Sequence, residues 1–360
     1  MNSLYISLDF GTKSSGNLVS VHELEALWII SDNVTVLGNA DINPVVFGLP
    51  NNPFFMDYLA LSKVSQLYLP DIDFCHLYAG PFTNTVRYLK AKGIKTSLTL
   101  DAHNRLESIN EFESLGYQYL FNVVKDDRLW AIFNGAAHDA DIVIVPGTVP
   151  KNYLVSEGVK EENIKVVPHG TDIPNIDKIK IIDTDNFKVG YLGAVGPDKG
   201  LKYLIQAWSS LNYQDSTLLL AGQQSKELGS FINKYATTGK FNLIGWVENI
   251  ADFYNNISVY VQPSVTEGFG IEVAEALSYG RPVICSNGAG ACDLIENGIN
   301  GFIVPKRDPK AIADKIDWFK DHEQELIEMG FAARRIAENY SWNNIKEMYV
   351  NVWKEMIGEK

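Results

Sequence analysis

The stretch VYVQPSVTEGFGIEVAE, residues 259–275, decides the fold. It opens as an apolar strand, VYV, and stops at Pro263-Ser264. A short loop carries Glu267 into Gly268-Phe269-Gly270, and a helix then begins at Ile271 and carries Glu275. Two carboxylates thus stand eight positions apart, one on a loop at the C-terminal end of a strand and one inside the next helix. In a parallel sheet that edge is where ligands bind, and the first helical N–H groups face the crevice. Gly268 and Gly270 allow close backbone approach or a positive φ. A polyhydroxylated ligand bearing phosphate suits this chemistry, because carboxylates accept from hydroxyls and amides receive the anion. The plainer alternative is a helix start with an acidic first turn, which the macrodipole favours by itself.

The longer stretch SVTEGFGIEVAEALSYGRPVI (264–284) resembles the signature of the retaining glycosyltransferases of family four, the glycosyl transferases group 1. Pro263, Ser264, Glu267, Gly268, Phe269, Gly270, Glu275, Ala276, Gly280, Pro282, Val283 and Ile284 carry the likeness. The resemblance implies an α/β protein of GT-B type. Two facing Rossmann-like domains with parallel sheets would be joined by a linker, with a C-terminal helix crossing back to the first domain.

Size agrees with two domains, since 360 residues exceed what one core usually holds. The first apolar run, SLYISLDF, lacks a basic leader and a cleavage site, so it reads as a strand and not a signal peptide. No apolar run is long enough for a spanning helix. Cys75, Cys285 and Cys292 have no metal-ligand spacing, and a reducing, cytoplasmic setting is expected. Net charge is −13, with −8 in residues 1–172 and −5 in 173–360. Neither half is a basic footprint, which argues against nucleic acid. Strong adhesion to anionic lipid is disfavoured, although peripheral membrane contact through a local patch stays open.

The alternating β-α pattern predicts an N-terminal, acceptor-side domain over 1–172, a linker over 173–186 and a C-terminal, donor-side domain over 187–338. A closing helix follows within 339–360. In the first domain, LYISLD leads to a loop holding Gly11, Lys13 and Gly16, but the dinucleotide fingerprint GxGxxG is absent. TSLTLDAH (96–103) reads as a strand that ends with Asp101 and His103 on the ligand edge. A lone histidine is more often structural. The aromatic-rich segment 105–137 reads mainly as core. The closing helix, about 342–357, would present Trp342, Ile345, Met348, Tyr349 and Val352 as its apolar stripe.

The resemblance assigns roles by position. Glu275 would hold the ribose hydroxyls and Glu267 the donor sugar, while Gly268, Phe269, Gly270 and Ile271 would offer amides to the sugar and distal phosphate. Gly193 and the Lys199-Gly200 pair would approach the diphosphate. Trp246 lies where the family's chain passes the base, with packing an equal alternative. His103 would meet the donor sugar or the acceptor, and Gly16 the donor phosphates. His103, Glu267 and Lys199 are the catalytic candidates. One position departs: the family's Arg directly after Gly193 is Ala194, and no Arg or Lys lies between Lys188 and Lys199. Fixed cations stabilise a diphosphate leaving group, so this leaves a cation from elsewhere such as Lys13, a slow enzyme, or a binding protein. No metal cluster is visible in the sequence, so no metal is assigned. The substrate implied is a UDP-, GDP- or ADP-sugar, and the acceptor a glycan, lipid or small molecule. A non-catalytic nucleotide-sugar-binding protein and a non-hydrolysing nucleotide-sugar 2-epimerase are the alternatives.

Overall fold

The computed structural model describes residues 1–7, 15–42, 53–115, 127–222, 234 and 239–358. Two compact units emerge. Unit 1 comprises Met1–Ala102, Tyr117–His169 and Trp342–Lys360; unit 2 comprises His103–Gly116 and Gly170–Ser341.

The first half runs β1 (Asn2–Ser7), α1 (Ser15–Ile30), β2 (Asn33–Leu37), α2 (Asn39–Ile42), α3 (Pro53–Val64), β3 (Phe74–Tyr78), α4 (Thr83–Ala91) and β4 (Lys95–Thr99). It continues through α5 (Arg105–Leu115), α6 (Asp127–Asp139), β5 (Ile142–Val145), α7 (Thr148–Ser156) and β6 (Ile164–Val166). All six strands pair in parallel, in the order β2-β1-β3-β4-β5-β6. The central strands read as apolar runs because helices cover both faces; every residue of β3 and β5 is buried. His76 is buried in β3 because it has partners: Glu23 at 3.1 Å and the Ser97 hydroxyl at 2.7 Å. β4 ends at Thr99, short of the predicted 103, so His103 precedes α5 and sorts with unit 2.

Unit 2 continues with β7 (Lys188–Leu192), α8 (Leu201–Leu211), β8 (Thr217–Ala221), β9 (Phe241–Gly245), α9 (Ile250–Tyr254), β10 (Val259–Gln262) and α10 (Ile271–Ser278). After these come β11 (Val283–Ser286), β12 (Gly301–Val304), α11 (Pro309–Asp321) and α12 (Glu323–Ala337). The strands are again parallel, in the order β12-β11-β10-β7-β8-β9. Two of these helices start on side-chain caps. Asn249 accepts from Ala251 N–H at 3.1 Å, and Asp308, ahead of Pro309, accepts from Ala311 N–H at 2.9 Å. The stretch SKELGSFINKYA (225–236), whose sequence reads as a helix, lies outside the described residues except Lys234.

The last helix, α13 (Trp342–Ile357), returns to unit 1 and lies on α1. Trp342 stacks on His22 at 4.2 Å, Lys346 pairs with Glu25 at 3.0 Å, and the Trp353 indole donates to Ser97 at 3.0 Å. Its buried stripe is Trp342, Ile345, Tyr349, Val350 and Trp353, whereas Met348 is exposed. The 3.6-residue repeat carries the stripe from Tyr349 to Trp353 and leaves Met348 at its margin.

Candidate functional site

Strand order locates the site. β7 lies inside its sheet, the chain adds β8 and β9 on one side, and then it returns to add β10, β11 and β12 on the other. Order therefore reverses between β7 and β10, where a crevice opens at the C-terminal strand ends. Gly193 to Lys199 follow β7, and Glu267 to Gly270 follow β10.

The two loops are knitted by backbone. Residues Pro197–Lys199 form a 3-10 turn closed by Gly200 at φ +68°. A side chain at Gly200 would place its Cβ 2.0 Å from the Pro263 carbonyl oxygen, so only glycine permits this approach. Val265 N–H donates to the Asp198 carbonyl at 2.7 Å. That contact brings Lys199 Nζ onto Glu267 Oε2 as an ion pair, with side chains 25% and 17% exposed. On its other side the Glu267 loop is pinned by Glu267 N–H to Gly288 O (3.0 Å), Gly290 N–H to Glu267 O (3.2 Å) and Ala291 N–H to Phe269 O (2.9 Å). Phe269 is buried, and Gly270 turns the chain into α10 at φ +93°.

Glu272 and Glu275, three apart, share one face of α10. The Tyr254 phenol donates to Glu275 Oε2 at 2.8 Å and also lies 3.1 Å from the Glu272 carbonyl oxygen. Glu272 Oε1 reaches under the β7 exit and would sit 3.7 Å from a Cβ on Gly193. Burial, reinforced by the Glu267 charge, pushes the Glu272 carboxyl up to about 7. Burial and the charge of Glu272 push Glu275 up to about 8, against the lowering effect of the Tyr254 hydrogen bond. Burial also raises Asp198, with Lys199 opposing the shift and Glu267 adding to it. Burial alone would lower Lys199, but Glu267 and Asp198 outweigh it and hold the ammonium above its ordinary range.

Around this centre, Asn104 N–H donates to the Thr266 hydroxyl at 2.8 Å, and the neighbouring His103 is close enough to lower the Asp198 carboxyl. The α5 segment is further tied to its unit by ion pairs, Glu111 with Arg307 (2.6 Å) and Lys202 (3.1 Å), and Glu107 with Lys306 (2.6 Å). Ala194 is exposed, and its carbonyl accepts from the Tyr191 phenol at 2.6 Å. The C-terminal ends of β7, β8 and β9 lie side by side. Gly222 N–H donates to Gly245 O at 2.8 Å, and a Cβ on Gly222 would come 1.9 Å from Gly193 O. Trp246, just past β9, is 75% exposed.

Of the residues singled out in the sequence, Gly193, Ala194, Lys199, Glu267, Gly268, Phe269, Gly270, Ile271, Glu275 and His103 lie at or around the β7/β10 switch point. Trp246 sits at the edge strand. Gly16 is the second residue of α1 in unit 1, and Lys13 lies outside the described residues. In unit 1, Asp101 pairs with His169 at 2.8 Å; burial alone would lower the imidazole, but Asp101 outweighs it and the net shift is upward. Sequence reasoning missed Glu272, Asp198 and Tyr254. The i, i+3 spacing of Glu272 and Glu275 was the available signal for the first. Among the described residues no group of three or more His, Cys, Asp or Glu side chains could hold a metal, and no helix is long and apolar enough to cross a membrane.

Residues 172–336, which contain this site, match the family of glycosyl transferases group 1. The chain has the GT-B fold. Sucrose-phosphate synthase from Thermosynechococcus elongatus superposes over 99% of both chains, with a TM-score of 0.78 and 17% identity. HepE of Anabaena, in a structure with UDP-glucose, superposes over 99% of this chain and 100% of its own, with a TM-score of 0.70 and 19% identity. Among curated proteins, the capsular polysaccharide biosynthesis glycosyltransferase CapM of Staphylococcus aureus is 31% identical over 241 residues, 61% of this chain and 63% of that one. Two further relatives, both uncharacterised glycosyltransferases, are matched over 48% and 60% of their lengths.

Proposed function

We propose that this GT-B chain is a retaining, metal-independent glycosyltransferase that moves a sugar from a nucleotide-sugar donor to a glycan, lipid or small-molecule acceptor. The observation that carries the reading is the Lys199–Glu267 pair at the switch point, inside the segment that matches the group 1 transferases. A cation beside a carboxylate in a crevice lined by helix-start amides suits a ligand that joins a diphosphate to a polyol.

In this reading Lys199 Nζ bears on the diphosphate, and Glu267 accepts from a sugar hydroxyl while still holding the ammonium. Glu275, fixed by Tyr254, takes the ribose hydroxyls, and the exposed Trp246 ring offers a face to the base. The bond from the anomeric carbon to the phosphate oxygen breaks as the acceptor oxygen bonds on the same face. The acceptor's proton passes to the departing phosphate oxygen. Lys199 needs no proton transfer for its part, since its ammonium is held charged. The three cysteines are buried free thiols, which suits a reducing, cytoplasmic setting.

Ala194 favours a second reading, a protein that binds nucleotide sugars without transferring them. The test is a thermal-shift screen with UDP-, GDP- and ADP-sugars, followed by product analysis with the stabilising donor and candidate acceptors. A glycosylated acceptor supports the enzyme, and bound donor that is never consumed supports the second reading. No stabilisation by any nucleotide sugar sinks both.

A further inference from the structure

Ala194 removes a cation from the β7 loop, while Glu272 places a carboxyl under Gly193, one residue away. Lys199 is already paired with Glu267. Four carboxyl groups, Asp198, Glu267, Glu272 and Glu275, thus share this crevice with one ammonium among the described residues. If all were ionised, the site would carry three negative charges in excess where a diphosphate must enter. Neutral carboxyls change that outcome, since a protonated carboxyl can donate an O–H to a phosphate oxygen.

We infer that Glu272 binds the donor diphosphate as a neutral carboxylic acid, supplying beside Ala194 a hydrogen-bond donor in place of the absent guanidinium, so that donor binding takes up a proton. This rests on the donor-site reading above. Three observations support it. Oε1 lies 3.7 Å from where a Cβ on Gly193 would stand, and Glu272 itself belongs to the first turn of α10. Burial disfavours its charge first and Glu267 from the β10 loop next, and Glu275 on its own helix is coupled to it. A backbone hydrogen bond at Glu272 and, after it, Lys199 oppose them, and the Tyr191 and Tyr260 phenols, both held neutral by burial first and Glu272 next, fill the strand side. Its carboxyl also titrates near neutrality, so a nearby anion holds the proton in place at little cost.

The test is calorimetry with UDP-glucose, GDP-mannose and ADP-glucose, whose doubly esterified diphosphates keep their charge through the neutral range. Titrations at several pH values, in buffers of different ionisation enthalpy, count the protons exchanged on binding. Wild type should take up close to one proton at about pH 8 and lose about tenfold in affinity per pH unit above that. Glu272→Gln keeps the shape and the donor N–H while removing the titration. Relative to wild type it should take up about one proton fewer at pH 8 and lose the tenfold fall per pH unit above it, any exchange at Glu275 being common to both proteins, and it should bind more tightly than wild type at the alkaline end. A wild-type profile that is flat, or a Glu272→Gln profile that keeps the slope, overturns the inference and leaves the donor site standing. If neither protein binds any of the three probes at any pH, the donor-site reading fails, and the inference with it.

Discussion

Replacing Lys199 by glutamine removes the one ammonium that the described residues place among these four carboxyls, and its cost depends on pH. Breaking a fully buried ion pair costs about 3–5 kcal/mol, and an exposed one about 0–1 kcal/mol. At 25% and 17% exposure the Lys199–Glu267 pair falls between these limits, so about 2 kcal/mol is expected at pH 8. Lysine's raised pKa means its contribution is complete below the ordinary lysine value and is lost only above it, so wild-type Lys199 adds no slope near neutrality. The carboxyls behave differently. Glu272 and Glu275 are raised to about 7 and about 8, so the folded protein binds more protons than the unfolded chain, and stability falls as pH climbs through those values. Without Lys199 that fall steepens, and at pH 6 protonation should relieve the loss to about 1 kcal/mol. For a unit of this size about 2 kcal/mol corresponds to a fall in melting temperature of roughly 4–8 °C. Scanning calorimetry of Lys199→Gln against wild type at pH 6 and pH 8 reads this directly. An equal loss at both values would refute the electrostatic coupling of these groups. With the donor identified, the same variant should lose about 10- to 150-fold in kcat/KM, for a charge-assisted bond worth about 1.5–3 kcal/mol.

Gly200→Ala should destabilise unit 2 by at least about 2 kcal/mol in denaturant unfolding, because φ is positive and the new Cβ meets the Pro263 carbonyl; an unchanged midpoint would deny that close approach. Trp246→Ala should leave the melting temperature within about 1 °C, since the ring is exposed, yet weaken donor binding about tenfold by calorimetry if a base stacks there. Glu275→Gln should raise the donor's dissociation constant about 5- to 20-fold while affecting free sugar little, and an unchanged constant removes the ribose assignment. Ala194→Arg has room at an exposed position and should pair with Glu272. It is expected to tighten donor binding at pH 8 more than at pH 6, and a uniform or adverse effect would show that no guanidinium reaches the diphosphate.

The two parallel sheets were legible because their central strands are short apolar runs between helical periods, as in VYV, DIVIV and TLLLA. The switch point was not, because strand order is set by pairing between segments far apart in sequence. β7 has β10 as its neighbour some seventy residues on. Glu267, Glu275 and Lys199 could be read from the local motif. Their meeting depends on Gly200, whose need for a positive φ and a bare Cα becomes visible only once Pro263 is packed against it. Asp198 went unnoticed because its carbonyl, not its carboxyl, does the joining.

Glu272 shows the limit most clearly. An acid in the first turn of a helix is what the macrodipole favours anywhere, so one residue supports two readings in sequence. The fold separates them by what surrounds the carboxyl. A glutamate that served only the helix terminus would face water and keep an ordinary pKa, whereas this one is half-buried with Oε1 beside Gly193 and is raised by burial and by Glu267. Burying a carboxyl among other carboxyls costs stability, and a substitution to an apolar residue would remove that cost at once. Retaining it makes physical sense if the proton it holds is used. The absent cation at position 194 supplies the use, because the diphosphate that a guanidinium would have bound can be met by a neutral O–H from the residue beneath.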